Sequence, residues 1–561
     1  MMRGLGTAMA RAAGILGAVA VTASLAACSS GSDKSNVSQT NSATTQKYDP
    51  PIELWVAGDI SDNMQSILTD TNTIENNMWT KAYEEELGIK IKYKWIAQTA
   101  AESYENMSVA IATGNLPDLF GVGSTELKTL GDSGVLAELQ GHYDQHISPL
   151  AKEIMEAEGS LPFDAMKLNG KLLALPRLTS TYDNAPALIW YRTDWVENLA
   201  MDPPETIDDV FALMEAFTTK DPDGNGKKDT VGLGVCNNIL LNDMGLQMIF
   251  NAYNAYPNMW IEDGNGGLVN GSIQPQVKTA LSKIRELYSK GYIDKQFSAS
   301  SQDKVAHQIQ TGKVGMIFGA QWMPIWPLNA NVTANPAADW AAVTITGADG
   351  QPVRTQTNLG TTAGYAMRSD YEHPEAVVKM MNLYFEKMYG ETGDIALYGT
   401  GEAILGEGNT GPMWSLSPVN GFRANQNFLV YEKCKKALED GDTSGMDPDT
   451  KVTFDAIQRF RAGDMTGWAS ERIFGPEGSW SILTDVRDNN LLCINKFYGA
   501  ATDAMATYGT TLSFMQNDAF LKIIMSETSL DTFDTFVSDW KRQGGDEITQ
   551  EVNAWYQANQ S

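Results

Sequence analysis

The sequence predicts an α/β protein in which strands and helices alternate around mainly parallel sheets. Between residues 52 and 123 three short apolar runs typical of strands, ELWVAG, IKYKWIAQ and DLFGVG, are separated by two segments with helical periodicity. Both helical segments reach a glycine that is a common stop signal, Gly88 and Gly114. This alternation is typical of a parallel sheet covered by helices.

A second region of the same kind begins near Trp190. TIDDVFALMEAFTT and PQVKTALSKIRELYSKG have helical periodicity, and Thr206 with Asp209 fits a capping box. KVGMIFG and, near 361–367, TTAGYAM are strand-like. Residues 390–490 are rich in Gly, Ser, Pro and Trp and give no clear pattern. The sequence therefore predicts two α/β units, with breaks near 187–192 and 361–367.

The N-terminus predicts secretion. Residues 1–27 have the layout of a signal peptide, since two arginines precede an apolar run shorter than the roughly 20 residues of a membrane-spanning helix. Leu-Ala-Ala-Cys, ending at Cys28, resembles the bacterial lipobox, whose cysteine receives lipid. Residues 28–49 are then a lipidated cysteine and a polar, flexible tether. We expect a lipid-anchored protein on the extracellular face of the cell membrane.

The charge of the chain excludes nucleic acid as a partner. The formal net charge is −28, and removing the arginines of the signal peptide, Arg3 and Arg11, makes it −30. Such a charge repels nucleic acid and anionic lipid. The remaining cysteines, Cys236, Cys434 and Cys493, form no CxxC or zinc spacing and are expected to be mostly buried thiols, with pairing left open.

One acidic loop resembles an EF-hand calcium loop. In DPDGNGKKD, oxygen ligands stand at positions 1, 3, 5, 7 and 9, the seventh being a backbone carbonyl: Asp221, Asp223, Asn225, Lys227 and Asp229. Gly226 stands at position 6, where the turn is sharp, but Gly232 replaces the bidentate glutamate at position 12. We expect a structural Ca²⁺ site; the alternative is a solvated acidic turn.

No catalytic residue is assigned from the sequence. It lacks HExxH, GxSxG, a Walker-type phosphate loop and a GxGxxG after a strand. Carboxylates are plentiful, so a glycosidase pair remains open. The chain has 14 tryptophans, several of them beside Gly or Pro in segments that read as loops, namely Trp260, Trp322, Trp326, Trp414 and Trp480. Flat apolar rings of this kind can stack on sugar rings.

Six segments, in the same order along the chain, resemble the extracellular solute-binding proteins of the oligosaccharide type (family 1), in the branch of large lipoproteins that includes LipO-like and alginate-binding proteins. They are ATGNLPDLF, NGKLLALPR, IWYRTDWVENLAMDPPETIDDVFALMEAF, DPDGNGKKD, GKVGMIFGAQW and FVSDWKRQGGDEITQEVNAWY. The resemblance implies a two-lobed periplasmic-binding-protein-like fold (type II), with the ligand between two α/β domains that are joined by hinge strands. The implied first lobe comprises 50–187 and about 361–480, and the second comprises 188–360 and about 481–561.

The resemblance implies capture of an oligosaccharide and its delivery to ABC permease subunits, by a monomer that is not an enzyme. The expected ligand-binding residues are Trp322, Trp260, Trp190, Arg177, Glu126, Trp414 and Trp480. A surface-attached polysaccharide-degrading enzyme or an adhesin remains the alternative. Arg177, Arg192 and Arg423 could each pair with a uronate carboxylate, and neutral xylo- or arabino-oligosaccharides are equally compatible.

The lipid anchor can be tested by Cys28→Ala. Because acyl chains supply the membrane affinity, we expect this variant in the medium instead of the membrane fraction. Immunoblots of the two fractions measure the distribution, and retention of the variant in the membrane would contradict the prediction.

Overall fold

The computed structural model describes residues 46–60, 64–65, 67–179, 181–182, 187–361, 363–406 and 411–559. The predicted signal peptide, Cys28 and nearly all of the tether lie outside these residues. Nine strands build the two main sheets: β1 Ile52–Asp59, β2 Ile89–Ala97, β3 Leu119–Gly123, β4 Leu175–Pro176, β5 Leu188–Arg192, β6 Val231–Leu233, β7 Val314–Gly319, β8 Trp340–Val343 and β9 Ala363–Met367.

The first sheet has the order β2-β1-β3-β9-β4, and the second has the order β8-β5-β7-β6. β1 is parallel to β2 and β3, whereas β9 is antiparallel to β3 and β4. In the second sheet β6 and β7 are parallel, but β5 is antiparallel to both of its neighbours. Short pairs elsewhere join Lys167–Leu168 with Lys171–Leu172, Trp260–Glu262 with Leu268–Asn270, and Thr355–Thr357 with Leu492–Ile494.

The first four residues of β5 are apolar because both faces of this strand are buried. Successive side chains of a strand point to opposite faces of the sheet. Ile189 and Tyr191 are buried in one core, while Leu188 and Trp190 are buried in another. Since helices cover both faces, no position of this strand meets water, and the alternation that marks a half-exposed strand is absent.

Helices around the first sheet bury a core that includes Trp79, Tyr83 and Tyr384. Their bounds are Met78–Ala82, Ala100–Thr113, Ser124–Asp132, Gln140–His146, Pro149–Met155, Leu161–Ala165, Ala376–Tyr389, Ile395–Tyr398 and Glu402–Leu405. Gly88 and Gly114, the predicted stop signals, have φ of 68° and 67° at the ends of their helices. That left-handed conformation suits glycine because it has no Cβ.

Helices around the second sheet are more numerous among the described residues. Their bounds are Thr193–Asn198, Ile207–Thr219, Gln247–Ala252, Pro275–Lys290, Gln302–Gln310, Asn329–Ala334, Gln426–Asp440, Pro448–Arg461, Trp468–Phe474, Ser479–Asp488, Asp503–Ile524, Thr532–Trp540 and Asp546–Ala558. The predicted capping box is present, because Thr206 and Asp209 bond each other's backbone N–H.

The chain passes from the first sheet to the second between β4 and β5, and returns between Thr355–Thr357 and β9. Trp190 and the segment 363–367, near which the crossings were predicted, therefore lie inside the sheets. Residues 426–488 pack on the second sheet, because Phe428, Trp468 and Trp480 share a core with β5. This grouping does not follow the predicted boundary at about 480; the complete division into lobes stays a prediction.

Cys236, Cys434 and Cys493 are buried, as expected from the sequence, and form no disulfide with one another. Burial raises the pKa of the Cys236 and Cys493 thiols, which lowers their reactivity. Within the described ranges no helix is long and apolar enough to cross a membrane.

Packing of the second sheet is tightest at Gly315 in β7. A Cβ there would collide with the ring of Phe217 and come within 2.8 Å of Trp195. We expect Gly315→Ala to reduce the free energy of unfolding by about 1–3 kcal/mol through overpacking, as measured by urea titration. In the helix Asp503–Ile524, Gly509 has no atom within 4 Å of its ideal Cβ. The control Gly509→Ala should therefore stabilise the protein by roughly 0.5–1 kcal/mol, and equal effects at the two sites would contradict the packing argument.

Candidate functional site

The connections between the sheets define a pair of facing edges. β4 runs in the direction of β1, β2 and β3, so the carboxyl ends of all four strands lie at one edge of the first sheet. β5 begins at the edge of the second sheet where β6 and β7 end. Because the short crossing from β4 to β5 joins these two edges, they face each other. Ligand crevices of α/β proteins form at the carboxyl ends of strands.

The loop after β7 carries two adjacent tryptophan rings on the second edge. Trp322 is partly buried and Trp326 is 39% exposed, and their ring centroids lie 6.5 Å apart with the planes 24° from parallel. Ile325 beside them is 63% exposed. The loop thus presents an apolar surface that includes two flat indole rings, and such rings can pack on the apolar face of a sugar ring.

Buried donors hold this loop in place. Trp190 Nε1 donates to the carbonyl of Ala320 (3.1 Å), and Ser479 Oγ donates to the carbonyl of Gln321 (3.0 Å). Trp480 Nε1 donates to Oε1 of Gln321 (3.2 Å). Since both tryptophans are fully buried, the backbone that leads into Trp322 is fixed by the core.

Asp243 completes the support of the loop. Its Oδ1 accepts the N–H of Ala320 at 2.9 Å, and its carbonyl accepts from Nε2 of Gln302 at 3.3 Å. Burial raises the pKa of Asp243 to about 6, against the lowering effect of the bond from Ala320. The bond donated by Ala320 favours the carboxylate form, but it does not offset the cost of burying that charge.

On the opposite edge, Arg177 follows β4. Its N–H donates to the carbonyl of Ala363 (3.0 Å), and its Nε donates to Oδ1 of Asn420 (2.9 Å). Asn420 is itself fixed, since its N–H donates to Oη of Tyr365 and its carbonyl accepts from that hydroxyl. The guanidinium is therefore anchored through one nitrogen while the side chain stays partly exposed.

Trp414 lies on the same segment as Asn420. Its ring meets that of Phe422 edge to face, with centroids 4.9 Å apart, and the N–H of Phe422 donates to the carbonyl of Leu178 at 2.9 Å. Arg177 and Trp414, two predicted ligand-binding residues from distant parts of the sequence, thus both contact the segment 420–422.

The crossings themselves are bonded to each other but are not solidly packed. Thr357 Oγ1 donates to the carbonyl of Thr181 at 3.3 Å, and the N–H of Gly360 donates to Oγ1 of Thr181 at 3.0 Å. Beside them lies a cavity of about 210 Å³, lined by Glu158, Leu161, Pro162, Thr181, Tyr182, Leu359, Thr361, Leu492 and Ile494. The lining comes from both lobes, so the cavity would change shape if the lobes moved.

Known proteins share this architecture. A family model of bacterial extracellular solute-binding proteins matches residues 66–391, more than half of the chain. The chain belongs to the bacterial extracellular solute-binding protein family. The resemblance seen in the sequence is thereby confirmed.

Two relatives of this solute-binding protein come from Bacillus subtilis (strain 168). Lipoprotein LipO is 23% identical over 519 residues, covering 88% of this chain and 92% of LipO. The polygalacturonan/rhamnogalacturonan-binding protein YtcQ is 21% identical over 478 residues, covering 84% and 86%. The crystal structure of the alginate-binding protein AlgQ2 without calcium ion matches with a TM-score of 0.62 at 17% identity, covering 91% of this chain and 99% of AlgQ2. This likeness confirms the predicted two-lobed α/β fold.

Three of the predicted contact residues lie in cores of this solute-binding protein. Trp190 and Trp480 are 0% exposed, and Trp260 is 6% exposed among the residues of the second lobe's core. A ring without an exposed face has no surface to offer a sugar. Their role here is packing, and for Trp190 and Trp480 also the support of the Trp322 loop, so the expectation of direct contact is corrected.

Glu126 has a local role at the first edge. Its Oε2 accepts the N–H of Gly123 at 3.1 Å and caps the helix Ser124–Asp132.

The other two arginines considered for a uronate differ in position. Arg192 pairs with Asp194 at the far end of β5 from the cleft, which excludes it, while Arg423 lies over the ring of Tyr389 beside residues 420–422.

Sequence reasoning missed Asp243, Asn420 and Tyr365. Each supports a residue from a distant segment, and none stands in a local motif that marks such a role. Trp326 carried a signal similar to that of Trp322, a tryptophan close to proline after a strand-like run, and the rings of the two residues lie side by side.

The predicted calcium loop contains its carboxylates on a tight turn, with Gly226 at φ 78°. Asp221 accepts the N–H groups of Asn225 and Gly226, and Asn225 Nδ2 donates to Asp223 (2.6 Å) and Asp229 (3.2 Å). Across the described chain no group of three or more His, Cys, Asp or Glu side chains is placed to hold a metal ion.

The residues of this loop nevertheless fit a hard cation. Oδ1 of Asp223 is buried without a hydrogen-bond partner in the described structure. Burial and a hydrogen bond with Asp221 raise the pKa of Asp223. Lys313 lies 2.5 Å from Asp229 and lowers the pKa of that carboxyl. The side-chain amide of Asn225 and the ammonium group of Lys313 thus partly offset the negative charge of Asp223 and Asp229. Carboxylate oxygens of this kind are ligands that suit Ca²⁺.

Proposed function

We propose that this solute-binding protein captures an oligosaccharide outside the cell and delivers it to the permease subunits of an ABC importer. The observation that carries the proposal is the tryptophan pair Trp322–Trp326, held by the core at the edge of one sheet and opposite Arg177 and Trp414 on the other. Stacking surfaces and polar groups on facing walls suit a ligand with apolar ring faces and many hydroxyls.

The relatives support this class of ligand. YtcQ is named for binding polygalacturonan and rhamnogalacturonan, and AlgQ2 for binding alginate. We propose that this chain binds and does not cleave its sugar, as a monomer anchored by lipid at Cys28. Contacts made to both lobes would favour a closed arrangement over an open one, which is the population shift that a permease could recognise.

A panel of oligosaccharides tests the proposal directly. A ligand that binds only the native state raises the melting temperature, by an amount that follows RT ln(1 + [L]/Kd). The full lipid-free chain should be stabilised by at least one sugar of the panel without releasing new reducing ends. Release of such ends would favour an enzyme, and absence of any shift over the whole panel would sink the proposal.

Trp322→Ala is expected to weaken binding of the best ligand of that panel roughly 10- to 100-fold. The magnitude follows from about 1–3 kcal/mol for losing a ring that stacks on a ring. Isothermal titration calorimetry measures Kd, and circular dichroism checks the fold. Phe514→Ala is the matched control, since Phe514 is 72% exposed on a helix of the second lobe. A Kd for Trp322→Ala within about twofold of the parent value would reject the stacking role while leaving transport intact.

We further propose that the loop Asp221–Asp229 binds a structural Ca²⁺. The ligands would be the side chains of Asp221, Asp223, Asn225 and Asp229 with the carbonyl of Lys227. The cation would neutralise carboxylates that repel one another and would tie the helix Ile207–Thr219 to β6. The buried, unpartnered Oδ1 of Asp223 supports this proposal.

Chelation distinguishes a calcium site from a solvated turn. EDTA should lower the melting temperature of the parent protein, and Asp223→Ala should remove that sensitivity. The control is Asp263→Ala, in a glycine-rich turn where Asp263 accepts two backbone N–H groups, and it should remain sensitive to EDTA. A protein without metal in elemental analysis, whose melting temperature ignores EDTA, would contradict the proposal.

A further inference from the structure

Arg177 keeps two of its nitrogens free at the first edge of the cleft. Nε donates to Asn420, and no bond joins Nη1 or Nη2 to any residue that the structure describes. No Asp or Glu oxygen of the described chain lies within ion-pair distance of it, and this includes the exposed Asp59, the last residue of β1 at the same edge. Nη1 and Nη2 of the guanidinium, called the fork below, therefore remain available to bind an acceptor from a ligand.

This arrangement differs from that of eight other arginines of the described chain. Six of them pair with carboxylates: Arg192, Arg368, Arg461, Arg472, Arg487 and Arg542. Arg285 and Arg354 have no carboxylate partner among the described residues, but a terminal nitrogen of each donates to a backbone carbonyl. In a chain with 69 acidic and 41 basic residues, an arginine at a ligand edge that meets only a neutral amide is poised for an anion.

The fork is also held in a fixed orientation. The backbone of Arg177 is tied to Ala363, and its Nε is tied to Asn420. Asn420 and Tyr365 are each only 7% exposed and hold each other through two hydrogen bonds. A guanidinium restrained in this way loses little conformational entropy when a ligand binds, and its planar edge matches the two oxygens of a carboxylate.

We propose that the ligand is an acidic oligosaccharide, a chain of uronate residues, and that Nη1 and Nη2 of Arg177 bind one of its carboxylates. This deepens the proposed function and rests on it. Arg423 adds a second positive charge on the adjoining segment, where its guanidinium lies 5.0 Å from the centre of the Tyr389 ring. The overall charge of −28 does not prevent binding, because charges beyond about 8 Å are screened at physiological salt.

The test compares each acid with its own neutral ester. Trigalacturonate and trimannuronate, and their fully methyl-esterified forms, are titrated into the parent protein by calorimetry at 0.15 M salt. At least one acid should bind about tenfold or more tightly than its ester. Arg177→Gln should weaken that acid about 10- to 150-fold, the range for a hydrogen bond to a charged group, and should change the ester no more than about threefold.

Two variants separate charge recognition from other effects. Arg285→Gln removes the same charge far from the cleft and should leave both ligands unaffected. Arg177→Lys keeps the charge without the fork, so it should fall between the parent and Arg177→Gln; it also provides the measurement if the glutamine variant does not fold. Equal weakening of acid and ester would show that Arg177 merely braces Asn420, and would overturn the carboxylate role.

Neutral xylo-, arabino- and fructo-oligosaccharides in the same titrations keep the two proposals distinguishable. If one of them binds more tightly than either acid, the uronate proposal is wrong while oligosaccharide capture stands. If neither acids, esters nor neutral sugars bind, both proposals fail.

Discussion

The pairing of β9 between β3 and β4 is the constraint on which the architecture depends. The chain leaves the first sheet after β4, builds much of the second lobe, and returns to fill the gap beside β3. Closing so long a loop costs little more than closing a shorter one, since each doubling of length adds only about 0.6 kcal/mol. In exchange β9 contributes buried residues such as Ala366 and Met367. Its insertion forces the two crossings side by side, and thereby makes the strand ends of both lobes face one another.

Those facing edges are supported differently. On the second edge, buried donors from a strand and a helix bond to the backbone and side chain of residues 320 and 321, so the Trp322 loop is as well determined as the core. On the first edge, support runs through the mutual bonds of Tyr365 and Asn420 to a single flexible side chain, Arg177. Both arrangements restrict the contacting groups before a ligand arrives, which reduces the entropy lost on binding.

Local sequence patterns predicted the helix ends well, but they predicted poorly which tryptophan rings are buried. The helix ends at Gly88 and Gly114 and the Thr206 cap depend on residues a few positions apart, so the sequence contains them. Trp480 stands two residues after Gly478 in a segment that reads as a loop, yet it lies in the first turn of a helix with its ring in the core. Burial of a ring depends on what packs against it from elsewhere, here Phe428 and Phe474. Such dependence on distant residues also explains why residues 390–490 show no clear sequence pattern and why the role of Asn420 could not be predicted.

Trp190 and Trp480 still bear on the function although they are buried, because an indole is both a large apolar group and a hydrogen-bond donor. Replacing the core ring of Trp480 by another apolar side chain would preserve much of the packing but leave Oε1 of Gln321 without its donor. The same change at Trp190 would remove one of two donors to the carbonyl of Ala320, which also accepts the N–H of Met323 at 3.2 Å. A buried acceptor without a donor costs about 1–3 kcal/mol, and the backbone entering Trp322 is where the strain would be relieved. The hydrophobic core of the second lobe and the loop that carries Trp322 are therefore linked, so a buried residue can position that loop from within the core.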